Sequence, residues 1–146
     1  MAHEKLLKSG RIKVYSAQEK EVSQLLQVAS RDLNTALKNL DDAPDWAYSM
    51  AYNAVLQASR ALMLHDGYRP RGGEQHATVV EFIRERLGQK HLAQVRLFDQ
   101  MRRKRHRVIY EAAGLISKGE AEQALKFAKD FLEIVHEQIT GCGYGT

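Results

Sequence analysis

An apolar residue recurs every three or four positions along most of this chain, and that period limits its fold more than any other feature. The first such stretch follows Ser16 and contains Val22, Leu25, Leu26, Ala29, Leu33, Ala36, Leu37 and Leu40. This spacing gives one apolar stripe along a helix of about 3.6 residues per turn. Ser16 followed by Glu19 predicts a capping box at its start. The chain contains only 2 prolines, so little interrupts its helices.

Four more helical segments follow, each bounded by residues that start or stop helices. The second helix is predicted to begin at Pro44 and to end at Gly67. A loop over 68–75 follows, and the third helix then ends at Gly88, while the fourth runs from about His91 to about Ala113 with Gly114 as its stop. The fifth begins at the capping box Ser117–Glu120. No convincing strand is visible. The pattern predicts an all-α, antiparallel up-and-down bundle of about five helices, with residues 1–139 as one domain and 140–146 as a flexible tail.

Composition narrows the function classes further. Cys142 is the only cysteine of the chain, so an intrachain disulfide is impossible. A lone thiol fits a reducing compartment, and no apolar run approaches the roughly 20 residues of a membrane span. We therefore expect a cytoplasmic protein. The net charge of +4 permits a polyanionic partner without requiring one.

The predicted fourth helix carries a dense run of positive charge. Every residue from Arg102 to Arg107 is a lysine or an arginine, except His106. At roughly 100° per residue, Arg105 nevertheless falls within the apolar stripe of this helix. A buried guanidinium costs about several kcal/mol unless it is paired. Arg105 therefore extends to the bundle edge, pairs with an internal acid, or waits in a cleft for a phosphate or carboxylate.

Several segments, taken in their order along the chain, carry a resemblance to a known family. They are Tyr48–Leu62 in the second helix, Gly67–Pro70 with His76 opening the third, Arg105–Tyr110 in the fourth, and an alanine-rich fifth helix that contains Phe131–Glu133. Together they resemble the HEPN domain superfamily (higher eukaryotes and prokaryotes nucleotide-binding). The resemblance extends from about Ser16 to Ile139.

The resemblance implies a helical bundle that forms a homodimer. Many members of this superfamily are metal-independent endoribonucleases, often toxins of toxin–antitoxin or other defence systems. Others accompany a minimal nucleotidyltransferase. The active motif of the family is an arginine, then a polar residue and, after a few intervening positions, a histidine. Two copies of that motif meet across the dimer interface.

Carried onto this sequence, the motif identifies three candidate catalytic residues. Arg105 matches the arginine and His106 the polar residue. The resemblance implies a histidine at position 110, 111 or 112, where this sequence has Tyr110, Glu111 and Ala112, and Tyr110 is the closest fit. Histidine titrates near about 6.5 and tyrosine near about 10, so tyrosine is the poorer base at neutral pH. The resemblance therefore supports the fold and phosphate binding more strongly than it supports catalysis.

Neighbouring residues supply candidate contacts to the ligand. Arg102, Arg103 and Arg107 are expected to add a sequence-independent attraction for RNA phosphates. Asn53 and Gln57 lie one turn apart on the second helix. They are expected either to orient Arg105 or to contact solvent.

The other basic, histidine and aromatic residues are weaker candidates for a functional site. Arg69 and Arg71 are expected on a solvated loop, although contact with phosphates is the alternative. The spacing of the histidines gives no pair four residues apart, and no Cys-x-x-Cys occurs, so we predict no metal site and no cofactor. Trp46 and Tyr52 are expected in the core or at an interface.

Three functions remain open at this point. The first is an RNA-directed protein in which two copies of the Arg105 helix form a basic cleft, with slow metal-independent cleavage as its catalytic form. The second is a non-catalytic binding module, such as the partner subunit of a nucleotidyltransferase antitoxin. The third is a structural adaptor with Arg105 in an internal ion pair. If the third function is correct, removing Arg105 should lower the stability of the fold by roughly several kcal/mol. Under the other two functions the stability should hardly change.

Overall fold

The structure, a computed structural model, describes residues 3–110 and 115–141, with the backbone alone for residues 108–110. Its elements are, in chain order, α1 (Glu4–Lys8), β1 (Ile12–Val14), α2 (Glu19–Asn39), α3 (Pro44–Asp66), β2 (Tyr68–Pro70), α4 (Gln75–Leu87), a 3-10 turn (Gln89–His91), α5 (Leu92–Tyr110) and α6 (Lys118–Thr140). The predicted helical bundle is confirmed. None of the helices in the described residues has the length and apolar character of a membrane span.

The central element of the bundle is α3, which contacts α2, α4, α5 and α6. Its buried alanines are Ala47, Ala51, Ala54, Ala58 and Ala61. Small side chains let neighbouring helices approach closely on several sides of one helix. The alanine pattern of this segment therefore explains why α3 can be enclosed by the others.

Most predicted helix boundaries are confirmed. Pro44 opens α3, and Gly67 ends it in the left-handed region with φ 96°. Gly88 ends α4. Ser117 caps α6, where its Oγ accepts a hydrogen bond from the Glu120 amide at 3.1 Å. The predicted stop at Gly114 lies outside the described residues, as do positions 142–146 of the predicted tail.

The predicted capping box at the start of α2 is wrong by two residues. The helix begins at Glu19, and Gln18 rather than Ser16 occupies the N-cap position. Glu21 is the glutamate that reaches back, accepting a hydrogen bond from the Gln18 amide at 2.8 Å. The Tyr15 hydroxyl donates to the same carboxylate at 2.6 Å. This second hydrogen bond, from a residue outside the helix, stabilises the later start.

The prediction that the chain contains no strand is also wrong. Strand β1 pairs with β2 in an antiparallel ribbon, with Lys13 opposite Arg69. Part of the predicted loop over residues 68–75 is therefore β2. The helix α1 was not predicted either. It precedes the ribbon and buries Leu6, while Ile12 of the ribbon is buried beside the bundle.

One predicted core position differs from the structure: Leu37 belongs to the apolar stripe of α2 but is 56% exposed. Trp46, predicted for the core or an interface, is 61% exposed and so lies outside the core of the single chain. Tyr52, by contrast, is fully buried. On α5 the predicted inward positions Val95, Phe98 and Met101 are buried, which sets the face that this helix turns to the bundle.

Candidate phosphate-binding cleft

Aromatic packing holds α5 against the centre of α3. The ring of Tyr52 lies 5.9 Å from that of Phe98 on α5, centroid to centroid. Phe98 in turn lies 5.7 Å from Phe131 on α6. These three rings are fully buried. Because Phe98 and Arg105 are two helical turns apart, the same packing brings Arg105 to Tyr52.

Arg105 lies against an aromatic ring. Its Cζ atom is 5.5 Å from the centroid of the Tyr52 ring, within the range of a cation–π contact. Its Nε is buried and has no hydrogen-bond partner among residues 3–110 and 115–141. The position in the apolar stripe therefore corresponds to a guanidinium that is partly enclosed. No internal ion pair is found for it within the described residues.

His76, at the start of α4, joins the same tyrosine. Its Nδ1 lies 3.0 Å from the Tyr52 hydroxyl. Burial lowers the pKa of His76 below its usual 6.5, and the positive charges of Arg105, Arg60 and Arg102 lower it further. The imidazole is therefore neutral at pH 7. Burial also raises the pKa of Tyr52 to about 12, so its hydroxyl stays protonated.

These side chains border an open cleft of about 700 Å³. Its lining residues are His76, Arg102, Arg103, Arg105 and His106. The structure thus brings together four residues that the sequence analysis selected, and adds His76. The cleft has positive charges on the α5 side and a neutral imidazole on the α4 side.

The positive run of α5 is divided between two surfaces. Arg102 and Arg103 both pair with Asp99, at 3.0 Å and 3.2 Å, and both line the cleft. Lys104 instead pairs with Glu120 on α6, and so contributes to packing between helices. Two arginines share one carboxylate at the cleft, so its positive charge is only partly compensated.

The remaining predicted site residues lie elsewhere or are described in part. Arg107 is exposed and is not among the residues that line the cleft. Tyr110 is the last residue of α5, and only its backbone is described. The amide of Asn53 donates to Asp32 on α2 at 2.6 Å, and no hydrogen bond from it to Arg105 is found among the described residues. Gln57 is partly buried on α3, and the described contacts assign it no role at Arg105.

Two residues were not among the predicted site residues: His76, which lines the cleft, and Arg60, whose charge lowers the pKa of His76. His76 was noted only for opening a helix, and its contact with Tyr52 spans 24 positions of the chain, so no local period predicts it. Arg60 lies two turns after Tyr52 on α3, and its buried Nε has no hydrogen-bond partner among the described residues. His76, Arg60 and Tyr52 all lie in segments that carry the family resemblance, and this was the available signal in the sequence.

The other basic candidates have structural contacts. Arg69, in β2, stacks over the Tyr15 ring at 5.1 Å from its centroid. The amide of Arg71 donates to the carbonyl of Arg11 at 2.8 Å, which extends the ribbon. Among the residues that the structure describes, no group of three or more histidine, cysteine, aspartate or glutamate side chains is placed to hold a metal ion.

The chain matches a model of a known protein family. The model of the HEPN domain matches residues 22–138, which includes α3, α4, α5 and nearly all of α6. The comparison with curated proteins finds no match.

Proposed function

The chain belongs to the HEPN domain family, and on that premise we propose that its cleft binds RNA through the phosphates, with Arg105 as the central contact. A free nucleotide offers the same phosphate chemistry. In this proposal Arg102 and Arg103 add an electrostatic attraction for the RNA phosphates that does not depend on the base sequence. His106 and Tyr110 contact the ribose or the base, and Arg107 widens the positive surface.

The observation that carries this proposal is the guanidinium of Arg105. It borders an open cleft, and its buried Nε has no acceptor within the described part of the chain. An unsatisfied buried donor costs about 1–3 kcal/mol. A phosphate bound in the cleft would bring oxygen acceptors to this guanidinium, whose planar shape suits two charge-assisted hydrogen bonds.

Family membership supports the biological setting of this proposal. HEPN domains commonly bind RNA and pair with nucleotidyltransferases. We therefore propose a protein of toxin–antitoxin or defence type, with two copies of the cleft at a homodimer interface. This setting rests on the family alone, whereas the RNA contact rests also on the cleft.

Binding of a fluorescent single-stranded RNA, followed by anisotropy, tests the proposal. Arg105→Ala is expected to weaken binding about tenfold or more, because a charge-assisted hydrogen bond contributes about 1.5–3 kcal/mol. Lys129→Ala is the matched control: it removes one positive charge from a groove between α2 and α6, and it is not a cleft residue. Its affinity is expected to change less than about twofold, since an exposed, distant charge is screened.

Salt dependence provides a second readout of the same contact. The affinity of the wild type is expected to fall steeply with salt, because cations that meet phosphates release counterions. The slope should be shallower for Arg105→Ala and unchanged for Lys129→Ala. Equal affinity and equal slope for all three proteins would refute Arg105 as the phosphate contact.

A second candidate function is metal-independent cleavage of RNA, and His76 is the observation that favours it. Cleavage through the ribose 2′-hydroxyl needs a group that can exchange a proton near neutral pH. Tyr110 stands where the family has its histidine, but His76 brings an imidazole to the cleft from α4. Labelled tRNA and mRNA incubated with the protein in EDTA provide the test.

The outcomes of this assay separate the two functions. Cleavage by the wild type that is lost in Arg105→Ala would establish a metal-independent ribonuclease, and Tyr110→Phe would show whether the tyrosine takes part. Absence of cleavage at excess protein, together with retained RNA binding, would leave the non-catalytic module. That module is the form expected of a partner of a nucleotidyltransferase.

A further inference from the structure

The cleft presents two kinds of polar group, and their difference suggests what each one contacts. Arg102, Arg103 and Arg105 carry fixed positive charges on α5. His76 faces them from α4 as a neutral ring, because burial and the nearby guanidinium groups lower its pKa. Phosphate oxygens favour the charged groups. A neutral imidazole is better matched to an uncharged polar group of the ligand.

The orientation of His76 is fixed by Tyr52. The contact of 3.0 Å between the Tyr52 hydroxyl and Nδ1 uses one ring nitrogen. The other nitrogen, Nε2, has no hydrogen-bond partner within the part of the chain that the structure describes. Tyr52 is fully buried, and its phenol stays protonated because burial raises its pKa to about 12. The histidine is therefore held by a rigid neighbour and keeps one polar atom available.

A hydroxyl group is the ligand that fits Nε2 in either tautomer of the ring. Nε2 donates a hydrogen bond when Nδ1 accepts from Tyr52, and accepts one when Nδ1 carries the proton. A hydroxyl both donates and accepts, whereas a phosphate oxygen only accepts. A hydroxyl therefore satisfies Nε2 in both tautomers, whereas a phosphate oxygen satisfies it in only one.

Arg105 and His76 reach the cleft from two different helices but share one neighbour. The centroid of the Tyr52 ring lies 5.5 Å from Cζ of Arg105 and 5.8 Å from the centroid of the His76 ring. Both groups thus pack against a single aromatic ring. In RNA each phosphate is followed within the same nucleotide by a ribose that bears a 2′-hydroxyl, which DNA lacks.

We infer that His76, oriented by Tyr52, binds the ribose 2′-hydroxyl of a nucleotide whose phosphate lies on Arg105, and so makes the cleft selective for RNA over DNA. This inference rests on the proposed phosphate binding. It adds a second contact from a different helix and names the class of nucleic acid. His76 is a binding residue in it, and Tyr52 is a positioning residue.

The test compares two oligonucleotides that differ only at the 2′ position, oligo(U) and oligo(dU), by fluorescence anisotropy. The wild type is expected to bind oligo(U) about three- to tenfold more tightly, which is the effect of one neutral hydrogen bond. His76→Asn keeps a polar atom near the position of Nδ1 for Tyr52 but lacks Nε2, so it should bind the two equally. His76→Gln, whose longer side chain reaches the position of Nε2, should keep part of the preference.

Two further variants separate the contacts. Arg105→Ala should weaken binding of both oligonucleotides by the same factor and leave their ratio unchanged. Tyr52→Phe should lower the ratio, because it removes the hydroxyl that orients His76. Far-ultraviolet circular dichroism and thermal melting check that each variant is folded. If His76→Asn fails to fold, Tyr52→Phe and His76→Gln carry the test.

The inference and the proposed function fail in different ways. Binding of neither oligonucleotide by the wild type would overturn both. Equal binding of oligo(U) and oligo(dU), with loss of affinity in Arg105→Ala, would overturn only the role of His76. A preference for oligo(U) that survives in both His76→Asn and Tyr52→Phe would also overturn it, since another group would then contact the hydroxyl.

Discussion

At the scale of single residues, Arg105 differs from Arg86, another partly buried arginine of the bundle. Arg86 on α4 donates to Asp66 on α3 at 2.6 Å and to Gln138 on α6 at 2.8 Å. Arg105 has an aromatic ring as its neighbour instead. The first arginine connects three helices, whereas the buried Nε of the second has no hydrogen-bond partner within the described residues.

Stability measurements should separate these two roles. Arg105→Met keeps the aliphatic contact and loses only a cation–π contact, so the free energy of unfolding should change by less than about 1 kcal/mol. Arg86→Met leaves Asp66 without its hydrogen bond and should cost about 1–3 kcal/mol. Urea denaturation of both variants provides the comparison. A larger loss of unfolding free energy in Arg105→Met would instead favour the structural adaptor, in which Arg105 stabilises the bundle.

His76 predicts a pH dependence of stability. Its pKa is lowered in the folded protein, mainly by burial, so the unfolded chain binds a proton more readily below about pH 6.5. The contribution of the neutral ring is therefore complete above that pH and is lost as the pH falls through the lowered value. Chemical denaturation of the wild type and His76→Asn from about pH 7.5 to about pH 5 tests this. The difference between the two should shrink at acidic pH, and parallel profiles would contradict it.

At the scale of elements, the start of α6 depends on a small polar cluster. Ser117 Oγ accepts from the Glu120 amide, and the Glu120 carboxylate also pairs with Lys104 on α5. The hydrogen bond from Lys104 is the main reason why the pKa of Glu120 is lowered. One glutamate therefore joins the start of α6 to the helix that carries the cleft.

Ser117→Ala should remove the cap at a cost of about 1 kcal/mol in the free energy of unfolding. Ser23→Ala is the matched control, since Ser23 is exposed in the interior of α2, where alanine is the better helix former. The control should be neutral or slightly stabilising. Urea denaturation midpoints decide the comparison, and equal effects of the two substitutions would contradict the role of the cap.

The elements that the sequence predicts well are those whose signals are local. Pro44, Gly67 and Ser117 act within one or two turns, and each marks a boundary that the structure confirms. The ribbon was not predictable in this way, because each strand has three residues and finds its partner more than 50 positions away. The capping box of α2 was misplaced because Tyr15, which precedes the helix, helps to select Glu21.

At the scale of the whole molecule, the folded unit extends beyond the residues that the family model matches. The match begins at residue 22. Before it, Leu6 and Ile12 are buried, and Arg11 donates to Thr78 at 3.1 Å and to Glu81 at 3.0 Å on α4. The first segment thus supports the helix that places His76 at the cleft.

Removing residues 1–15 should therefore destabilise the bundle. Burial of Leu6 and Ile12 contributes about 1.5–3 kcal/mol each, so a loss of about 3 kcal/mol or more is expected. Thermal and urea denaturation of the shortened and complete chains measure it. The double variant Leu6→Ala and Ile12→Ala, in the complete chain, should reproduce most of the loss. Equal stability of the shortened and complete chains would show that the ribbon is dispensable.

The candidate site also belongs to this scale, which limits what the sequence predicts about it. Arg105 was identifiable because its position in an apolar stripe is a property of one helix. His76 and Tyr52 lie on two other helices, and only the packing of α3, α4 and α5 brings them to it. Residues that act together across a bundle leave no common period in the sequence.

The exposure of Trp46 has an optical consequence. It is the only tryptophan of the chain, and 61% of it is accessible to solvent. An indole already surrounded by water emits at long wavelength, so its fluorescence should shift little when the bundle unfolds. The same emission should move to shorter wavelength if a second copy or another protein covers the first turn of α3. The natural fluorescence of this protein is therefore expected to report assembly in place of folding.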